Sequence, residues 1–408
     1  AIDAGRSGLE ELGFDFPSDN LEPLIGEQIG FLLGYFQTNG IESIAENPDM
    51  TDPKSLAIIK ILDNFSMPTY VGGYTNLWIL QACMKVSYSI ENGNTPETAY
   101  ALSELGLILN LQGQYDFALK VGELSKTLAE KFEKRSLRHK ARSFHLIANY
   151  NFIWNRHINE IAETNEEGFI ASMNSGELIF AGYTNFHSFF NKFYSGSVNL
   201  EEIKSGLPDA IRFNESILSD LSLDSLICLE MVINTLTGVN KNPLEFKSDR
   251  FNEAEFIAFC QDKKDFYGLA TLYTYKACSL YINGYYHEAQ EAIQKAYEFV
   301  APFIGSMVHF PTLKFYEALI GYQLVDSEKD NKELHTKLDE IIALFENWSV
   351  PGKANIEHKM FLLKAERFRV LKKTNEAKEY YTNAVNSAKE NGFLQNEAIA
   401  HELLGRLW

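Results

Sequence analysis

The sequence predicts an all-α fold, a tetratricopeptide-like superhelical solenoid of antiparallel helix pairs, with about seven to eight repeats. Three observations carry this. Leu105, Gly106, Leu109, Gly113, Tyr115 and Ala118 follow one another at the spacing of a helix, a tight turn and a second helix, and the spacing returns at Gly284, Tyr286, Ala289, Ile293 and Ala296. A third copy, Ala365, Phe368, Ala377, Tyr381 and Ala384, lacks the turn glycine and has Lys372 in its place. Apolar residues recur at i, i+3, i+4 and i+7 throughout, no long stretch alternates apolar with polar, and only 11 prolines interrupt the chain.

The elements follow in order. Residues 1–92 are helical without a clear repeat and are expected to cap or extend the array. They hold a helix over Leu21–Gln37 and a turn over Asn47–Pro53. In that turn Thr51 or Asp52 caps a further helix through Leu56–Leu62, with Pro53 in its first turn. Residues 93–408 form the array. First helices of the pairs are expected over Ala101–Leu111, Ala141–Trp154, Leu178–Tyr194, Leu226–Thr237, Gly268–Ile282, Leu313–Leu324, Ile356–Leu371 and Leu394–Arg406. Second helices fill the gaps, among them Tyr115–Phe132, Ile158–Met173, Tyr286–Phe299, Lys332–Phe345 and Glu376–Glu390, and Asn240–Asp249 and Val325–Asn331 read as loops. First helices start roughly 37 to 48 residues apart, more than the 34 of a strict repeat, so the units are irregular.

Close packing of two helices needs small residues where the axes cross. Gly106, Ala277 and Ala365 take that place in the first helices and Ala118, Ala289 and Ala377 in the second, while Gly113 and Gly284 allow a left-handed backbone in the turn.

Composition bounds the function. The chain has 408 residues, 45% of them hydrophobic, and a formal net charge of -18, which disfavours binding to a phosphate backbone. The basic stretch from Lys131 to Lys140 is expected to be a solvated helix end. Cys83, Cys228, Cys260 and Cys278 are far apart in apolar stretches and read as buried thiols of a reducing cytoplasm. No apolar run is long enough to cross a membrane and no export signal precedes the helices, so a cytoplasmic protein is expected. Because the chain begins at Ala1 and stops at Trp408 inside a helical pattern, it reads as part of a longer protein.

Phosphate-binding loops, dinucleotide turns, zinc-protease pairs and hydrolase elbows are absent from the sequence. The nine histidines do not gather at ligand spacing, so no catalytic residue, cofactor or metal site is assigned. Candidate contacts lie on the inner, concave face of the first helices. The register set by Gly106, Ala277 and Ala365 places Ser103, Asn110, Thr274, Tyr281, Lys359, Glu366 and Arg369 there, and a looser register adds Tyr183, Phe186, Phe190, Phe315 and Tyr322. Aromatic anchors with a few charges suit a peptide groove; the same aromatics also serve as core filling.

Met50–Leu62, Gly93–Leu109, His187–Phe190, Phe310–Tyr316 and His358–Arg369 resemble the helical middle region of large bacterial signalling proteins. In that family a serine/threonine kinase domain and an AAA/STAND-type ATPase precede the region, and a GAF domain and a sensor histidine kinase follow it. The resemblance implies a parent that binds ATP, phosphorylates proteins and relays signals; no catalytic motif of the parent maps onto this chain. The expectation is therefore a non-catalytic interaction and relay module. Its partner would be a protein, a peptide or a flanking kinase or ATPase domain of the same polypeptide, without nucleic acid or membrane insertion. The alternative is a small-molecule inducer sensor of a STAND-type ATPase regulator.

Overall fold

The computed structural model describes residues 2–248, 251–300, 307–325 and 332–407. Among them the chain is all-α apart from one two-residue β-ladder and an isolated parallel bridge between Asp49 and Asn94, and it packs as two compact units. Unit 1 comprises residues 1–152 and 163–180. It holds α1 (Ile2–Glu11), α2 (Leu21–Asn39), α3 (Ser43–Glu46), α4 (Pro53–Val71), α5 (Thr75–Asn92), α6 (Pro96–Leu111), α7 (Tyr115–Lys131), α8 (Leu137–Leu146) and most of α9 (Ile161–Ser175). Residues 1–92 thus share a unit with the first repeat hairpin, α6 and α7.

Unit 2 comprises residues 153–162 and 181–408. It holds most of α10 (Leu178–Ser195), then α11 (Leu200–Ser216), α12 (Asp220–Leu236), β1 (Lys247–Ser248), β2 (Phe251–Asn252), α13 (Glu253–Lys263), α14 (Phe266–Ile282) and α15 (Tyr286–Phe299). It continues with α16 (His309–Leu324), α17 (Lys332–Ser349), α18 (Lys353–Val370), α19 (Thr374–Glu390) and α20 (Leu394–Arg406). The strands pair antiparallel, Lys247 opposite Asn252 and Ser248 opposite Phe251, at the end of the expected loop. Of the other expected loop, residues 326–331 lie outside the described residues.

Within unit 2, α12, α14, α16, α18 and α20 pack in an inner row, each against the next, while α15, α17 and α19 pair with them as second helices. Of these inner helices α14 and α16 are buried nearly all round, because neighbours cover them on several sides. Along α14 nearly every residue from Gly268 to Tyr281 is buried, whereas α15 buries only Ala289, Ala292, Ile293 and Ala296 on one stripe. In unit 1 the hairpin of α6 and α7 shows the same division. Leu9, Ile58, Leu62, Phe65 and Leu77 form a second core cluster there, under α1, α4 and α5.

Local signals explain the ends. Asp52 accepts the Ser55 amide at 2.8 Å with Pro53 opening α4, as the sequence predicts. Thr95 and Thr98 close a reciprocal cap on α6. Each repeat hairpin reverses through one left-handed residue, Gly113 at φ 74°, Gly284 at φ 81° and Lys372 at φ 59°. Lys372 therefore holds the glycine conformation without being glycine, at a steric cost of roughly 1 kcal/mol.

One expected helix is broken. In place of one helix over Ala141–Trp154, α8 stops at Leu146, and a π-helical turn, Ile147–Asn151, and a 3-10 turn, Phe152–Trp154, follow. The cause is a wedge of amide side chains. Asn151 sits so close to α6 that a Cβ on Gly106 would lie 2.5 Å from its Nδ2, and Gly122 of α7 gives way to Phe152 in the same manner at 3.0 Å. The carbonyls released by the break are taken by Asn110, whose Nδ2 donates to Tyr150 O at 2.8 Å.

Two substitutions read these constraints separately. Lys372→Gly is expected to raise stability by up to about 1 kcal/mol in urea unfolding, since relief of the left-handed strain exceeds the added unfolded-state entropy. Gly106→Ala is expected to lower it by roughly 1–3 kcal/mol despite alanine's better helix propensity, because the new methyl meets Asn151.

Candidate functional site

The residues expected on an accessible concave face are mostly interior. Ser103, Asn110, Phe186, Phe190, Thr274, Tyr281, Phe315, Tyr322, Lys359 and Glu366 are all buried; Tyr183 and Arg369 are half-buried. Neighbouring first helices pack closely enough that most of these side chains are enclosed. Ser103 and Asn110 illustrate the reason in unit 1. Asn151 Nδ2 donates to Ser103 O at 3.2 Å and Asn110 holds the π-turn, so these polar positions serve the next element of the chain.

In unit 2 the remaining predicted residues separate into three groups. Phe186 and Phe190 join an aromatic nest with Tyr267, Tyr275 and His309, Phe190 lying 5.1 Å from Tyr275 and 4.9 Å from His309. Burial lowers the His309 pKa to about 3, so that ring is neutral. Tyr281 packs on Tyr316, Phe315 on Phe345, and Thr274 lies buried in α14. Glu366 is saturated: it accepts from Arg369 Nη2 at 2.7 Å, from Arg369 Nε at 3.0 Å, from Gln323 Nε2 at 2.9 Å and from the Tyr381 hydroxyl. Arg369 also donates to Tyr322 O at 3.0 Å, so this pair holds α16, α18 and α19 together.

Lys359 differs from all of these. Only 3% exposed, it donates to Asn355 O at 3.2 Å and otherwise meets aromatic faces, Tyr194 at 4.1 Å and Phe393 at 5.0 Å from the ring centroids. No carboxylate pairs with it among the described residues, and burial alone lowers its pKa to about 7. It lines a cavity of about 20 Å³ with Tyr194, Tyr275, Tyr316, Gln395 and Asn396. That volume is enough for one water-sized group. The Tyr275 hydroxyl is buried there with no hydrogen-bond partner, while Gln395 donates to the Tyr316 hydroxyl at 3.0 Å.

The surrounding frame is fixed. Asn355, one turn before Lys359, donates to Ile153 O at 3.0 Å and Arg156 O at 2.8 Å and accepts from Ile158 N at 3.0 Å, clamping residues 153–158 onto α18. His358 stacks 4.3 Å from Phe393 and shares a 2.7 Å hydrogen bond with Asn396; burial first, then the charge of Lys359, holds its pKa well below the usual range. The cavity therefore places the Lys359 ammonium, with donors beyond the one given to Asn355 O, among the side-chain amides of Gln395 and Asn396 and the hydroxyls of the lining tyrosines.

A second polar cluster, in unit 1, left no signal in the sequence because its members come from separate helices. Lys85 Nζ lies 2.7 Å from Glu104 and 3.2 Å from Asp63, with both pairs buried. Glu104 accepts from the Trp78 indole at 3.0 Å, and Asp63 also faces His139 at 3.3 Å and Arg142 at 3.7 Å. Burial alone would raise the Asp63 pKa, but Lys85, His139 and Arg142 outweigh it and hold the carboxyl well below its usual range. Every donor here has its acceptor, which marks an internal strut and not an open site. The basic stretch seen in the sequence is likewise engaged: Lys131 and Arg135 pair with Asp49, Arg138 with Glu177, and Lys140 with Glu133 and Glu167. The four cysteines are buried and free. No helix among the described residues is long and apolar enough to cross a membrane.

No protein-family model and no curated protein matches the chain. Among solved structures it is similar to the apo form of the quorum sensor NprR from B. thuringiensis. That chain is 11% identical, the match covering 95% of this chain and 98% of that one, at a TM-score of 0.34. A likeness of that degree assigns no residue of the cavity a role.

The depressed lysine has a measurable consequence. Between pH 7 and 10.5 the unfolded chain holds a proton on this side chain that the folded chain has released, so stability attributable to Lys359 rises with pH through that window and is least below pH 7. Lys359→Met is expected to raise the melting temperature by several degrees at pH 6.5, with the gap over the parent chain closing as pH approaches 10.5 in scanning calorimetry.

Proposed function

We propose that the chain is a non-catalytic interaction module that receives an acidic segment of a protein or peptide, one carboxylate of which docks on Lys359. One observation carries the reading: an ammonium buried among aromatic rings beside a cavity, with no counter-ion among the described residues. A buried charge left unpaired is costly, and a ligand that supplies the missing anion recovers that cost as binding energy. Tyr183 of α10 and Arg369 of α18, both half-buried, are the further contacts this reading assigns. The partner would be a flanking domain of a longer signalling polypeptide, as the resemblance of Gly93–Leu109 and His358–Arg369 to the middle region of bacterial signalling kinases suggests. The module would then relay occupancy to that domain.

The small-molecule alternative draws on a different place. A cleft of about 550 Å³ in unit 1, lined by Asp3, Arg6, Ser18, Tyr74 and Asn76, has the volume of a ligand site.

Calorimetric titration with short peptides ending in a free carboxylate, against the same peptides amidated, separates these readings. Free-carboxylate peptides should bind, tightening as pH falls from 8.5 to 6 because Lys359 gains its proton across that range. Lys359→Met should weaken them at least about tenfold, the loss of one charge-assisted hydrogen bond. Affinity that ignores both pH and this substitution would refute the assignment.

A further inference from the structure

We propose that Asp224, Cys260 and Asp265 form a binding site for a divalent metal ion of borderline softness, zinc or cobalt, within unit 2. Asp224 lies in the second turn of α12, Cys260 in the last full turn of α13, and Asp265 caps α14. One donor atom from each falls within 4.8 Å of the others, and Cys260 Sγ is 3.9 Å from Asp224 Oδ2. Around tetrahedral zinc, bonds of 2.0–2.3 Å set neighbouring donors roughly 3.3–3.7 Å apart, so a small contraction completes the geometry.

The local chain arranges these donors for reasons of its own. Lys264 at φ 57° turns α13 sharply into α14, which brings Cys260 beside the new helix start. Asp265 Oδ1 accepts the Gly268 amide at 2.8 Å, which fixes the carboxylate beside the cluster and leaves Oδ2 unbonded. Position 268 must be glycine for that orientation, since a Cβ there would lie 2.5 Å from Oδ2.

What points to a cation is what the cluster lacks. Asp224 is 6% exposed, and the groups acting on its carboxylate are Asp265, Cys260 and Asp220, none of them a cation. Asp265 Oδ2 is buried with no hydrogen-bond donor. No lysine, arginine or histidine among the described residues pairs with either carboxylate, in contrast with the saturated cluster around Lys85. Two carboxylates and a thiol therefore converge where a positive charge is missing, and mixed sulfur and oxygen donors select a borderline metal over magnesium or calcium. Asp265 is only half-buried, which leaves a fourth, water-bearing position and a path for entry. On binding, Cys260 loses its thiol proton to the buffer and sulfur becomes the third ligand.

Cobalt titration of the reduced, chelator-treated full chain tests the site. A 1:1 rise of a thiolate-to-cobalt band in the near ultraviolet, displaced by zinc, is expected, together with a zinc-dependent increase in melting temperature. Cys260→Ser should abolish the band, and Asp224→Asn should weaken binding at least tenfold. Asp265→Asn keeps the Oδ1 cap and guards against mistaking unfolding for lost ligation; it too should weaken binding at least tenfold with helix content unchanged. No band and no melting shift with millimolar zinc, or a band that survives Cys260→Ser, would overturn the proposal. So would Asp224→Asn raising stability while the parent chain binds no metal, which identifies a shared proton as the cluster's sole occupant.

Discussion

Helices can approach closely only where one of them gives up a side chain, and that constraint organises both units. At Gly106 the concession is complete, and the space it leaves is filled by Asn151 of the following segment. The consequence spreads along the chain: α8 cannot continue past Leu146, its carbonyls need new donors, and Asn110 supplies one. A packing requirement at one crossing thus decides where a helix ends some forty residues later. The hairpin turns express a related constraint, since each pair must reverse within about three residues through a single left-handed backbone position. Lys372 shows that the fold imposes this conformation even where the residue resists it.

Close packing also changes what polar residues can do. Inner helices covered by neighbours on several sides turn a would-be binding face into core, and polar groups there must be satisfied internally. Glu366 with Arg369 and Tyr381, and Lys85 with Asp63 and Glu104, meet that demand in full. Lys359 with Tyr275, and Asp224 with Asp265, do not. These two clusters have opposite sign: Lys359 has no carboxylate and the Asp224–Asp265 pair no cationic side chain beside it among the described residues.

Much of the architecture was legible in the residues. The spacing of Gly106, Gly113 and Ala118, and of its two echoes, located three hairpins, and the Asp52–Pro53 start of α4 followed from capping chemistry. The spacing around Ala365 puts Lys359, Glu366 and Arg369 on one side of α18. Whether that side meets solvent or other helices depends on the distance between successive first helices, which is set by residues far apart in sequence. Asp224, Cys260 and Asp265 come from three helices, so no ligand spacing in the sequence joins them.

The sequence by itself determined the helical class, the pairing of neighbouring helices and the small residues at their crossings, since all three rest on periodicities and turn chemistry acting over a few residues. Tertiary structure alone decided the break after Leu146, the exclusion of solvent from the inner helices and the charges left without partners. These follow from desolvation and steric contact between segments tens or hundreds of residues apart, such as Asn355 with Ile153, and no local pattern encodes them.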